Sequence, residues 1–153
     1  MQLSLCAVGR KMPSWVQQAS CEYEKRLPKH WQFAVREIPQ ANLGSPALNK
    51  AKEGDALRAA TSEKAHIIAL DNRGVSWSTK DLATQLQSWQ ELGKPVSLFI
   101  GGPDGLDDKA LASSHQQWSL SALTFPHPMV RVLVIEQIYR AHSLLINHPY
   151  HRA

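Results

Sequence analysis

Short, unbroken apolar runs alternate along this chain with longer stretches in which apolar residues recur every three or four positions. The first pattern marks buried strands and the second marks helices. Residues 3–8 form an apolar run closed by Gly9 and predict a first strand. Residues 13–27 predict a helix, with Trp15, Val16, Ala19, Tyr23 and Leu27 near helical spacing and Pro28 as its stop. Residues 31–38 predict a second strand, and residues 39–46 a polar loop. Residues 47–60 predict a helix weakened by Gly54. Its mixed charges and meagre apolar stripe place it on the outside of the molecule.

The second half of the chain repeats the alternation. Residues 65–71 are nearly continuous in apolar character, as in a strand buried on both faces, and Asn72-Arg73-Gly74 predicts a turn after them. Ser78 opens a helix, with Asp81 three residues on as a capping box, and Leu82, Leu86 and Trp89 face inward. Gly93 and Pro95 lead to a fourth buried strand at residues 96–100. A short helix at 107–114 and a strand at 117–120 follow. Pro126 and Pro128 then stiffen a loop and hold Phe125 and His127 extended. Pro128 suits the first turn of a helix, predicted over residues 129–146 and closed before Pro149.

This last helix is apolar around most of its circumference, interrupted by Arg131, Glu136 and Arg140. Arg131 and Arg140 project in nearly opposite directions, and Glu136 and Arg140 are one turn apart. Charges on a largely buried helix have to be paired, or to face an interface or a site. A structural ion pair and a functional site are both open for Glu136 and Arg140.

Alternating strands and helices imply an α/β domain with a largely parallel sheet, and pattern alone predicts an ordinary doubly wound arrangement. A length of 153 residues suits one domain with a single sizeable core. A net charge of +4 leans weakly towards a polyanionic partner. Cys6 and Cys21 are isolated, and without a Cys-x-x-Cys pair they read as free thiols rather than a disulfide or a metal site. No run of apolar residues approaches membrane-spanning length, and the first apolar stretch lacks a basic leader, so a soluble, cytoplasmic protein is expected. The cluster Lys25-Arg26-Leu27-Pro28-Lys29-His30 is a basic turn, either a solvated face or a contact for RNA phosphates.

Ligands of open α/β sheets bind beyond the carboxyl ends of strands. Three such ends stand out here: Leu70, Gly101-Gly102 and the segment 120–125. The loop Gly101-Gly102-Pro103-Asp104-Gly105 lacks the Gly-Lys-Ser/Thr of a Walker loop and is no Gly-x-Gly-x-x-Gly fingerprint, so phosphate cradling is a poor assignment. The tail Asn147-His-Pro-Tyr-His-Arg concentrates an aromatic ring, imidazoles and a guanidinium. A zinc pair of His148 and His151 is not expected, because no further ligands stand at a recognisable spacing.

Ser119-Leu-Ser-Ala-Leu-Thr-Phe-Pro-His, Val130-Arg-Val-Leu, Glu136-Gln-Ile-Tyr-Arg-Ala and the Asn147-His-Pro-Tyr-His-Arg tail together resemble the ribosomal RNA large subunit methyltransferase H family of the SPOUT superfamily. Ala7-Val-Gly-x-Lys-Met-Pro and Ile100-Gly-Gly-Pro-Asp-Gly-Leu extend the resemblance over the chain, with residues 40–61 the weakest portion. The resemblance implies a mostly parallel sheet with a C-terminal trefoil knot. It implies a homodimeric enzyme that methylates N3 of a pseudouridine in 23S rRNA, on the assembled ribosome, with S-adenosylmethionine as methyl donor. Leu70, Gly101, Gly102, Leu120, Ser121, Ala122, Leu123, Thr124 and Phe125 would then surround the adenine and ribose. His127, Arg131, Glu136, Arg140, Tyr150, His151 and Arg152 are the candidates nearest the chemistry, and the tail is favoured among them. His151 could take a proton, Tyr150 could stack on a base, and Arg152 could pair with phosphate or carbonyl oxygens. The tail of one subunit would complete the pocket of the other. A SPOUT enzyme acting on tRNA or on another rRNA base is the alternative, and a non-catalytic ribosome-binding protein a further one.

Overall fold

The structure, a computed structural model, describes residues 1–152. Five strands form one parallel sheet in the order β2-β1-β4-β3-β5, where β1 is Leu3–Val8, β2 Ala34–Ile38, β3 His66–Ser76, β4 Val96–Ile100 and β5 Gln116–Ser119. The helices are α1 (Ser14–Glu24), α2 (Pro46–Ala59), α3 (Thr79–Glu91), α4 (Asp108–Ser113) and α5 (His127–Leu145). The α/β class and the mostly parallel sheet expected from the alternation are present.

Side chains along a strand point alternately to its two faces, and the central strands are apolar on both. Leu3, Leu5 and Ala7 of β1, with Leu98 and Ile100 of β4, join Leu82, Leu86 and Trp89 of α3 and Val134, Ile135 and Ile138 of α5 in the larger core. Cys6 and Val8, with Phe99 of β4, face the other way into a smaller core with Leu57 of α2 and Ala110 of α4. The sheet is therefore sandwiched between two helical layers. Burial pushes the Cys6 thiol above its ordinary pKa, which keeps it neutral. Both cysteines are free thiols.

His127, expected to be extended, is instead the first residue of α5, and three expectations about whole elements need correction. Trp31 does not begin a strand: residues Lys29–Trp31 make a 3-10 turn, Gln32 takes a left-handed conformation (φ 49°), and β2 starts only at Ala34. The turn lets Trp31 drop fully into the core, where the ring of His142 meets it edge-on at 4.9 Å. Asn72-Arg73-Gly74 does not end β3. The Asp71 carboxylate accepts from the Arg73 N–H at 2.8 Å and folds these residues into a bulge. Both Leu70 and Val75 pair with Trp118, so the strand resumes its ladder beyond the bulge. Gly74 is required there, since a Cβ would stand 2.6 Å from the carbonyl of Gln117.

Helix α2 is not peripheral either. Capped by Ser45, it buries Glu53, Gly54 and Leu57 against the sheet and α4. A Cβ on Gly54 would collide with the Asp107 carboxylate, so this glycine permits close packing rather than merely weakening a helix. By contrast, the capping box at the start of α3 is fully formed: the Ser78 hydroxyl accepts from Asp81 N–H and the Asp81 carboxylate from Ser78 N–H.

The packing of α2 gives a direct test. Leu57→Ala should destabilise the protein by about 2–5 kcal/mol in urea unfolding, as for a fully buried leucine. A helix lying outside would lose less than about 0.5 kcal/mol.

Candidate active site

The carboxyl ends of β3, β4 and β5 open onto a cavity of about 820 Å³. Leu70, Gly101, Gly102, Leu120, Ser121, Leu123, Thr124 and Phe125 line it, in agreement with the strand ends singled out in the sequence. Ala122 belongs to the same segment but does not line the cavity. Lys50, Asp71, Arg73, Asp104 and His127 also line it. The prolines after Phe125 hinted at His127, whereas no sequence signal brings Lys50 to this place.

Glycine at 101 and 102 answers to close packing. A Cβ on Gly101 would stand 2.6 Å from the Gly105 carbonyl carbon, and one on Gly102 would stand 2.9 Å from Val8 Cγ1. Gly105, at φ +83°, closes the turn through its N–H to Gly102 O at 3.0 Å. Beneath Gly102 lies Glu53, 3 % exposed, whose Oε2 accepts from Ala41 N–H at 3.3 Å while Oε1 has no partner. Burial raises its pKa.

Across the cavity, the Ser121 hydroxyl accepts from Leu123 N–H at 3.0 Å and its carbonyl accepts from the Ser119 hydroxyl at 3.1 Å. Among the described residues, the backbone N–H groups of Ala122, Thr124 and Phe125 have no protein partner. Apolar walls from Leu70, Ile100, Leu106, Leu120, Phe125 and Val130, with unspent backbone groups, suit a flat heteroaromatic ligand held by its edge.

The charged residues of the wall differ in availability. Asp71 accepts from Arg73 Nε at 2.9 Å and Nη2 at 3.0 Å, and this pairing holds its carboxyl below the usual range. His127 stands at the start of α5, and burial together with the nearby Arg131 guanidinium pushes its pKa down.

The remaining candidates lie elsewhere on α5. Arg131, 4 % exposed, donates through Nη1 to Glu37 Oε2 at 2.7 Å and through Nη2 to Gly9 O at 3.1 Å. Glu136 and Arg140 form the one-turn ion pair at 2.7 Å. The Tyr150 hydroxyl donates to Glu136 Oε1 at 3.0 Å, and its ring lies 4.6 Å from Tyr139 and 4.8 Å from the Arg140 guanidinium carbon. Tyr150 is thus packed onto its own chain rather than presented for stacking on a base. Burial, then its hydrogen bonds with Tyr23 and Glu136, push its phenol well above the ordinary range. In the same area Arg26 of the basic turn pairs with Glu22 at 2.7 Å, its guanidinium carbon 5.2 Å from the Tyr23 ring centre.

His151 and Arg152 follow this cluster. After the 19-residue helix the tail folds back along it, so that Tyr150 reaches Glu136 at the middle of α5, and neither His151 nor Arg152 lines the cavity. Among the described residues no group of three or more His, Cys, Asp or Glu side chains could hold a metal ion, and no helix is long and apolar enough to cross a membrane.

The comparison with known families assigns this parallel sheet, with its cavity at the strand ends, to a class of methyltransferases. The family model described as "Predicted SPOUT methyltransferase" matches residues 1–151, so this chain belongs to the SPOUT methyltransferase family. A curated relative, ribosomal RNA large subunit methyltransferase H of Hahella chejuensis (strain KCTC 2396), is 47% identical over 99% of this chain and 99% of its own. Among solved structures, a probable methylase family protein from Haemophilus influenzae Rd KW20 superposes with a TM-score of 0.63, covering 99% of this chain and 70% of that one at 10% identity. At that identity the likeness is one of fold.

The Tyr150 environment predicts a raised alkaline titration. Followed by phenolate absorbance, Tyr150 should ionise above the ordinary value near 10. Glu136→Gln should bring it down, because the acceptor of its proton loses its charge.

Proposed function

We propose that this protein is an S-adenosylmethionine-dependent methyltransferase that modifies N3 of a pseudouridine in 23S rRNA, on the assembled ribosome in the cytoplasm. The relative's name, at 47% identity over almost the whole of both chains, is the observation that carries the substrate class. The cavity supports the cofactor. Its apolar walls and the free backbone N–H groups of Thr124 and Phe125 match the faces and edge of an adenine. Leu70, Gly101, Gly102 and residues 120–125 would hold the nucleoside, and the bound cofactor supplies an electrophilic methyl group on sulfonium sulfur.

The trefoil knot belongs to this proposal. After β5 at one edge of the sheet, the chain reaches Gly9 and Glu37, beyond β3 and β4, within the few residues that lead to Arg131. That path spans roughly 14 Å or more at ~4.8 Å per strand. It passes the ends of β3 and β4 where the loops after them leave the sheet, as a threaded segment would.

The working unit is a homodimer. Within one chain neither His151 nor Arg152 lines the cavity, and in this reading the tail of one copy serves the cavity of the other. The outward face of α5 supports such a seam: Met129 is exposed, Val132, Leu133 and Leu144 are half-buried, and Ile146 just beyond the helix is exposed. In that arrangement Tyr150, gripped by Glu136 and Arg140, anchors the tail. Arg131 fixes the helix across the sheet, and Arg152 meets the RNA.

Labelled methyl should pass from S-adenosylmethionine to 23S rRNA of assembled ribosomes from a strain lacking the gene, and His151→Ala and Arg152→Ala should each reduce it by at least about tenfold. A mixed dimer of an Arg152→Ala subunit and a Gly102→Val subunit, the latter with its cavity loop displaced by the clash with Val8 and Glu53, should recover one working site. No recovery would argue against a shared site, and label in tRNA instead would move the substrate.

A further inference from the structure

We infer that His127 accepts the proton that the target ring nitrogen gives up, which makes it a catalytic residue of the reaction proposed above; the inference rests on that reading. The placement of the ring carries it. His127 is the first residue of α5 and lies in the cavity wall next to the segment that would hold the nucleoside. Its Nε2–Cδ2 edge rests against Gly9: a Cβ there would lie 3.3 Å from Nε2 and 3.6 Å from Cδ2. Gly9 is held at φ +118°, and its carbonyl is engaged by Arg131 one turn along the same helix. The imidazole is therefore backed by a fixed surface on that edge, while the residue itself lines the cavity. Among the described residues it makes no hydrogen bond.

The other titratable groups of the cavity are less suited. Asp71 is bound by Arg73, Lys50 and Arg73 are cations, and Asp104 lies on the exposed turn. The charges around His127 favour its neutral form. Arg131 lies closest, backed by Glu37 on β2 and within range of Glu24 on α1, and the exposed Arg10 and Lys11 follow Gly9. Burial and Arg131 both lower its pKa, so the ring is ready to accept a proton at neutral pH.

In the step, the imide N–H bond breaks and its proton passes to Nδ1 of His127. The freed electron pair on the ring nitrogen forms the new N–C bond to the methyl group, and the electron pair of the old C–S bond stays on sulfur. The imidazolium then releases its proton to water, so each turnover yields one proton.

Three readouts on His127→Gln and His127→Ala test this. Calorimetry should show cofactor affinity within about threefold of the parent. Single-turnover methyl transfer to ribosomes should fall by about 10²-fold or more. The parent rate should decline as pH falls below about 6.5, and that limb should vanish in the glutamine variant. An NMR titration of the His127 imidazole in the free parent protein should give a midpoint below its ordinary value. A His127→Gln protein with parental rate and an intact acid limb would overturn the inference, as would an imidazole titrating above the ordinary value. Parent protein that labels no ribosomal RNA would instead overturn the functional reading itself.

Discussion

Arg131 ties together the parts of this molecule that are farthest apart in sequence. Its guanidinium reaches a carboxylate on β2 and a carbonyl at the end of β1, 94 and 122 residues away. The pair adds little net stability, because the guanidinium loses its hydration while the Glu37 carboxylate remains exposed to water, which screens the attraction. Its effect is on register. An unpaired guanidinium at this depth would be costly, so α5 is held at one rotation and one height over the sheet.

The same helix separates two kinds of chemistry. At its start are the cavity, the free backbone N–H groups of Thr124 and Phe125, and His127. Along its second half is a cluster in which Glu136, Arg140, Tyr139 and Tyr150 satisfy one another. The tail folds back onto this cluster through Tyr150, and neither His151 nor Arg152 lines the cavity.

Strand periodicity was readable because the central strands are apolar on both faces, a pattern that survives without knowledge of neighbours. The α3 cap was readable because Ser78 and Asp81 satisfy each other within four residues. What failed were features decided by partners distant in sequence. Helix α2 buries a glutamate and a glycine beside one leucine, and no apolar stripe records that. The bulge at Asp71 has the composition of a turn, yet β5 provides a ladder that draws the chain back into the sheet. Trp31 extends an apolar run but is needed in the core under His142, which a strand would not allow.

The sequence by itself determined the order and type of most elements, the three strand ends around the cavity and the chemical character of the tail. Each depends on local periodicity, on glycine at crowded turns or on residue identity. Only the tertiary structure decided which of these groups share a site. It joined His127 to the strand ends, paired Arg131 with Glu37 and folded the tail back along α5 so that Tyr150 meets Glu136. The reason is geometric: a spacing along the chain fixes direction on one helix or strand, whereas a meeting between elements depends on how the whole sheet brings them together.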